Sequence, residues 1–352
     1  MDGVEMDRKI LVISETVFFN LYKEGLEKYA KDNRDIVDLY YLDYPKKDLN
    51  IINKAKYKYN LNKFKGKYYT KIRNELISKI KNYDIILFIN LFYDDEYFIQ
   101  GEFAEALKKK DTRVLFVDSI KTIDQKITFF DVFNDIYSFE EQDIAYAKEK
   151  FNVNIKYMTV GTLYKMFLQD EKYSKNIDVC FVGIGTEKRL KYLDTIAEYC
   201  EKNKLRLFVA GHFWHDNNWL NYHIGHWKFK KRHPVLAKYV ENKFIVPRDL
   251  AKIYARSRIV LNINVAYHKS LNQRCFDVMA CNSLLLNDKQ NIGNLSLIDG
   301  QDFIMCEDEN DMVHKIDFYL KHQEACNEII NSGMIKTERE FLFSHTLMKL
   351  LH

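Results

Sequence analysis

Residues 258–288 read RIVLNINVAYHKSLNQRCFDVMACNSLLLND, and this stretch decides the fold. Residues 258–264 form a short apolar run, the mark of a strand buried on both faces of a parallel sheet. A polar turn follows, Tyr267-His268-Lys269-Ser270, and a helix is expected from near Leu271 with Ser270 as its N-cap. A second apolar run at 283–286 completes strand, helix, strand, the unit of a parallel α/β sheet. The first strand ends in Asn262-Ile263-Asn264, and Arg274 and Asp277 lie three residues apart, on one face of the helix. A helix N-terminus furnished with Ser, Lys and Arg suits a diphosphate, through unpaired N–H groups and positive potential. An acid one turn further in suits sugar hydroxyls, because a carboxylate accepts both hydrogen bonds of a diol. The plainer reading of Arg274 and Asp277 is a surface ion pair of small value.

The same alternation runs through the chain. Strands are expected at 9–14, 36–42, 84–92, 113–117, 135–139 and 155–160, with helices at 21–31, 71–81, 102–110 and 140–151 among them. The pattern restarts with a strand at 177–182, a helix at 187–202, and strands at 205–210, 244–246, 258–264 and 283–286. This is an α/β chain of two doubly wound, Rossmann-like halves, 352 residues being ample for two cores. The junction falls in the polar stretch 163–175. The expected domains are 1–165 and 175–335, with 336–352 a final helix that crosses back to the first. Two such halves suggest a cleft between them. Ligands of open α/β sheets bind beyond the carboxyl ends of the strands, so the loops there are where chemistry is sought.

Three such loops carry candidates. Gly183-Ile184-Gly185 closes a strand and opens a helix bearing Lys188 and Arg189, which reads either as a tight turn or as a phosphate contact. Only two glycines are present, so the dinucleotide fingerprint is incomplete. Residues 211–233 hold five of the ten histidines and all three tryptophans. His212-x-x-His215 and His223-x-x-His226 have ligand-like spacing without a complete zinc signature. The alternatives are aromatic stacking on a base or sugar, and plain packing of a long loop. His212, directly after Gly211 at a strand end, is the residue there expected to touch a ligand. In the first half Glu15, the run Asp94-Asp95-Glu96, and Asp118 all follow strands. Each could be a general base or a cap.

Composition narrows the class. Residues 46–81 carry twelve Lys or Arg against two acids, a net +10 in a chain whose total is +4, so the remainder is −6. The basic stretch reads as a solvated helix face, as a patch for anionic inner-leaflet lipid, or as a nucleic-acid surface. RNA-binding signatures are absent, so no nucleic acid is expected. The six cysteines all lie in the second half with no C-x-x-C pair, and are expected as reduced thiols. The opening MDGVEMDRKILVIS lacks a basic region followed by an apolar one, and no apolar run approaches a bilayer span. A cytoplasmic protein is expected, peripheral at the inner membrane face if the basic stretch binds lipid.

The stretch IYARSRIVLNINVAYHKSLNQRCFDVMACNSLLLND resembles the C-terminal domain of the CgeB-like glycosyltransferases, a branch with the GT-B fold. The resemblance rests on Ile253-Tyr254, Leu261-Asn262, Ser270-Leu271-Asn272, Arg274, Phe276 and Ala280-Cys281, in that order. DVCFVGIGTEKRLKYL, LFVAGHFW and the terminal SHTLMKLL are similar to the same family, and RVLFVDSI and DIYSFEEQD more loosely so. The resemblance implies two Rossmann-like domains and a nucleotide-diphosphate sugar held in the second, with no cofactor and no metal. Gly183, Gly185, Arg189, Ser270 and Arg274 would hold the diphosphate and Asp277 the hydroxyls. Gly211, His212, Asn262, Leu271 and Asn272 would line the donor site. Glu15 or Asp118 would serve catalysis on a glycan, lipid-linked or protein acceptor, in surface polysaccharide or glycoconjugate synthesis. Three positions depart from the family. Asp277 stands for Glu and Asn282 for Gly, and where many retaining GT-B enzymes carry two glutamates separated by seven intervening residues, Lys269 stands for the first and Asp277 for the second. The alternative is a non-catalytic nucleotide-sugar or polyanion binder on the same scaffold.

Overall fold

The computed structural model describes residues 7–42, 61–90, 98–122, 129–169, 171–212, 214 and 219–352. The chain divides into an N-terminal unit, Met1–Met158 with Thr346–His352, and a C-terminal unit, Thr159–His345.

The N-terminal unit runs β1 (Lys9–Ser14), α1 (Thr16–Asn33), β2 (Ile36–Tyr41), α2 (Leu61–Lys79), β3 (Ile85–Ile89), α3 (Gly101–Leu107), β4 (Asp111–Phe116), β5 (Asp135–Ser138), α4 (Gln142–Phe151) and β6 (Lys156–Tyr157). Its sheet has the order β2-β1-β3-β4-β5-β6, and every pairing is parallel. The direction of winding reverses between β1 and β3. The apolar runs are central strands: all five residues of β3 are buried, as are the last five of β1. β2, with exposed Ile36 and Tyr41, lies at the edge. The last seven residues belong to this unit and are tied to it by two arginines. The Arg8 guanidinium donates to Leu351 O (2.6 Å) and that of Arg113 to Leu350 O (2.5 Å). These are the orphan carbonyls of a helix C-terminus, where cations are favoured.

The C-terminal unit continues with α5 (Tyr164–Leu168), β7 (Ile177–Val182), α6 (Glu187–Lys202), β8 (Leu207–Ala210), α7 (Trp219–Arg232), β9 (Val240–Glu241), α8 (Pro247–Ala255), β10 (Ser257–Asn262), α9 (Gln273–Ala280), β11 (Leu284–Asp288), β12 (Ile304–Cys306), α10 (Glu309–Lys321), α11 (Gln323–Glu340) and α12 (Phe343–Leu351), whose last residues pass into the N-terminal unit. The sheet order is β12-β11-β10-β7-β8-β9, again all parallel. This is the order of a dinucleotide-binding Rossmann sheet, reversing between β7 and β10.

Two expectations are corrected. The strand expected at 244–246 is not one; the edge strand is Val240–Glu241. Val246 is extended because Pro247 follows it, and Pro247 then opens α8 with its fixed φ and missing N–H. Ser270 does not cap the helix. Asn272 does, its side-chain oxygen accepting from Arg274 N (3.1 Å), and the helix starts at Gln273. All six cysteines are free and buried. Among the described residues no helix is long and apolar enough to cross a membrane.

Candidate functional site

The richest cluster lies in the C-terminal unit where β7 and β10 end side by side, at the reversal of the winding. Beyond β7 the chain turns through Gly183, whose N–H donates to Ala210 O (2.9 Å). Gly211, beyond β8, has φ +142°, and a Cβ there would sit 2.0 Å from Gly183 O. The two loops thus meet backbone to backbone, and only glycine allows it. A Cβ on Gly183 would meet Arg274 Nη2 at 3.2 Å and the Phe181 ring at 3.1 Å; one on Gly185 would meet the Trp214 ring at 2.8 Å. Gly183 therefore leaves room for Arg274, while Gly185 leaves room for Trp214.

Two guanidinium groups share one phenyl ring. Arg189, on α6, lies 5.6 Å from the Phe181 centroid and Arg274, on α9, 5.5 Å. Arg189 joins the loops after β7 and β10, donating from Nε to Ile263 O (2.7 Å) and from Nη1 to Ile184 O (3.1 Å). Arg274 Nη1 donates to Asn262 Oδ1 (2.9 Å). Among the described residues neither group makes an ion pair with a carboxylate. Burial, and then the Arg274 cation, push Arg189 down to about 9, so it stays charged at neutral pH at a cost. Two like charges so placed favour an anion.

Amides fix this end of the sheet. Asn262 Nδ2 donates to Asn287 Oδ1 (2.6 Å), and Asn272 Nδ2 donates to Asn264 Oδ1 (3.1 Å) and Asn262 Oδ1 (3.3 Å). Asn264 Nδ2 donates to the carbonyl of Ser270 (3.2 Å). Ser270 and Leu271 are both buried. The side chain of Asn272 thus caps α9 and ties it to the end of β10, which aims the helix N-terminus at the same place as the arginines.

Asp288, the last residue of β11, is fully buried and accepts from Asn264 N (3.0 Å), Gln290 Nε2 (2.7 Å) and the Lys188 ammonium. Asp277 is also buried, but it does not pair with Arg274; its Oδ1 accepts from the hydroxyl of Thr162 (2.6 Å). Burial pushes the Asp277 carboxyl up to about 7, against the opposing pull of Thr162 and Arg274. His212 stacks on Phe244 (5.5 Å between centroids, 12° between planes), and Phe244 is 58% exposed. That pair forms a flat aromatic surface beyond β8 and β9. His215 lies outside the described residues, as does the side chain of His223. Among the described residues no group of three His, Cys, Asp or Glu is placed to hold a metal ion.

In the N-terminal unit Glu15 directly follows β1, at that sheet's own reversal, where Ser14 Oγ donates to Ile89 O (2.5 Å). Asp118 follows β4, and its Oδ1 accepts from Ser119 N (2.9 Å). Asp94, Asp95 and Glu96 lie outside the described residues. So the structure brings Gly183, Arg189, Gly211, Asn262, Asn272 and Arg274 together, with His212 beside them on the neighbouring loop. Glu15 and Asp118 stand in the other unit. Sequence reasoning missed Phe181, the Lys188–Asp288 pair and Thr162. Phe181 reads as one more core residue, and nothing local signals the other two contacts, which span 100 and 115 residues.

Residues 191–352 match the model of a family described as Glycosyl transferase-like. No curated protein matches the chain in sequence. Among solved structures, a sucrose-phosphate synthase from Thermosynechococcus elongatus is similar with a TM-score of 0.64 at 12% identity, covering 98% of each chain. A glycosyltransferase from Rickettsia africae gives 0.64 at 11%, over 98% of this chain and 97% of that one. HepE of Anabaena, solved in complex with UDP, gives 0.61 at 10%, over 97% and 98%. The chain has the fold of the GT-B glycosyltransferases, and its C-terminal half carries a glycosyltransferase family pattern.

Proposed function

We propose that this chain is a metal-independent glycosyltransferase that binds a nucleotide-diphosphate sugar at the carboxyl ends of β7 and β10. The observation that carries the proposal is the pair Arg189 and Arg274: two cations on one ring, without a carboxylate partner among the described residues, beside a helix N-terminus. A diphosphate supplies the charge this place lacks. It is also the leaving group of sugar transfer, and preorganised donors at developing negative charge are an effective way to lower such a barrier. Cationic side chains can fill the role a divalent metal fills elsewhere. The His212–Phe244 surface offers a stacking place for the base.

Glu15 and Asp118 are the acids proposed to act on the acceptor hydroxyl, with Glu15 favoured by its position at the reversal of its sheet. The CgeB-like resemblance supports a glycan, lipid-linked or protein acceptor in surface glycoconjugate synthesis. The family match and the UDP complex of HepE support the donor class.

The test is a thermal-shift panel of UDP-, GDP- and other nucleotide-diphosphate sugars, followed by turnover of the best binder in excess EDTA. A stabilising donor that is hydrolysed or transferred without metal is expected. Stabilisation with no turnover under any acceptor would leave a binding protein, and turnover abolished by EDTA and restored by manganese would assign a different mechanistic class.

A further inference from the structure

Helix α9 carries Arg274 in its first turn, and its next turn grips something else. The chain passes into the C-terminal unit after Met158 and out of it after His345. The incoming segment and the outgoing one are bonded to each other: Thr162 N donates to Phe341 O (2.8 Å) and Phe343 N donates to Thr162 O (2.9 Å). Gly161, at φ +73°, packs so closely that a Cβ there would lie 2.8 Å from the Leu342 backbone. Adjacent residues of α9 hold both segments. Asp277 accepts the hydroxyl of Thr162, and the Phe276 ring stacks on Phe341 (4.7 Å between centroids, 28°).

We propose that Thr162 and Asp277 are a positioning pair, a latch that joins the anion-binding end of α9 to the two segments through which the chain passes between its units. The pair is built for that role and poorly built for binding sugar. Asp277 and Thr162 are both buried, and the hydroxyl that donates to Asp277 also accepts from Tyr164 N (3.1 Å), which holds it in place. Among the described residues, groups electrostatically coupled to Asp277 include Arg274 on its own helix, Tyr164 on α5, Tyr254 on α8 and Cys281 at the end of α9. Of these four Arg274 carries the positive charge. An anion that engages Arg274 weakens its pull on Asp277 and so alters the latch, which gives the donor a route to the crossing segments.

Amide hydrogen exchange on the full chain tests this, first without ligand. Thr162→Val keeps the shape and removes the hydroxyl; exchange should rise at least tenfold both in 159–164 and in 273–280, and Thr162→Ser should restore it. Asp277→Asn, which keeps an accepting oxygen but drops the charge, should fall between the two when exchange in these segments is read relative to that of the most protected core strands, and it covers the case where the Val variant does not fold. Exchange that stays at the wild-type rate in α9 of Thr162→Val, or a Thr162→Ser variant no better than Val, would overturn the latch. The second arm rests on the donor reading and uses UDP. Protection gained at 273–280 should extend to 159–164 and 341–345 in the wild type and stop within α9 in Thr162→Val. If UDP protects nothing in the wild type, that counts against a uridine donor, while the ligand-free arm still decides the latch.

Discussion

Gly183 and Gly211 show how much a single hydrogen atom decides here. Sequence reading gives Gly183 to a diphosphate and Gly211 to the lining of a donor site, yet each answers first to a protein neighbour. At Gly211 the obstacle is backbone, with a Cβ 2.0 Å from Gly183 O and φ at +142°, so Gly211→Ala should destabilise the fold by about 2–4 kcal/mol in urea unfolding. At Gly183 the obstacles are the Phe181 ring and the movable end of Arg274. Gly183→Ala should therefore leave the melting temperature within a few degrees while weakening nucleoside diphosphate binding roughly tenfold, since a displaced guanidinium loses its aim. Equal effects of the two substitutions on stability would contradict this division.

At the scale of elements, α9 answers to both its ends and its middle. Its charge state supplies a pH prediction. The folded Asp277 carboxyl sits at about 7, above the range of an unfolded aspartate near 4. Between those values the folded chain binds more protons than the unfolded one, so this group lowers stability as pH rises, with the full cost reached above 7. Asp277→Asn removes that cost. The variant should melt close to wild type near pH 4, somewhat above it at pH 5 and several degrees above it at pH 8; a difference that does not grow with pH would count against a buried carboxylate at this position.

The elements themselves were legible where one physical signal dominated. Runs such as 85–89 and 259–261 are apolar because both faces of a parallel strand are covered, and α6 was readable because its amphipathic pattern is unbroken. Legibility failed where two local signals competed. Ser270 and Asn272 are both good caps, and the choice between them is made by Asn262 and Asn264, which hold the Asn272 amide. At 244–246 an apolar run suggested a strand, but Pro247 turned it into the approach to a helix. Of the candidate site, the arginines and glycines could be named from their strand-end positions. Their convergence on Phe181, and the turning of Asp277 toward Thr162, depend on contacts that no sequence window contains.

On the scale of the whole molecule the chain carries two parallel sheets of different strand order, one in each unit, each with its acids or cations beyond the strand ends. The basic stretch 46–81 belongs to this scale. Lys54, Lys56 and Lys58 lie outside the described residues, as do the side chains of Lys63 and Lys65, so the lipid reading stands on charge alone. If it docks on anionic lipid, the protein should sediment with phosphatidylglycerol vesicles at low salt and release above physiological ionic strength, where the Debye length falls below about 8 Å. Neutralising those five lysines should abolish sedimentation and leave turnover of a soluble acceptor intact. No sedimentation at low salt would return the stretch to a solvated helix face.

The central claim is that an anionic diphosphate completes the charge at Arg189 and Arg274, and calorimetric titration of Arg274→Ala tests it most directly. With the nucleoside diphosphate that binds the wild type best, in excess EDTA, the substitution should weaken binding and lower transfer by about a hundredfold or more, a preorganised donor at such a place being worth ~3 kcal/mol. Affinity and turnover that both stay within a factor of two of wild type would contradict the account.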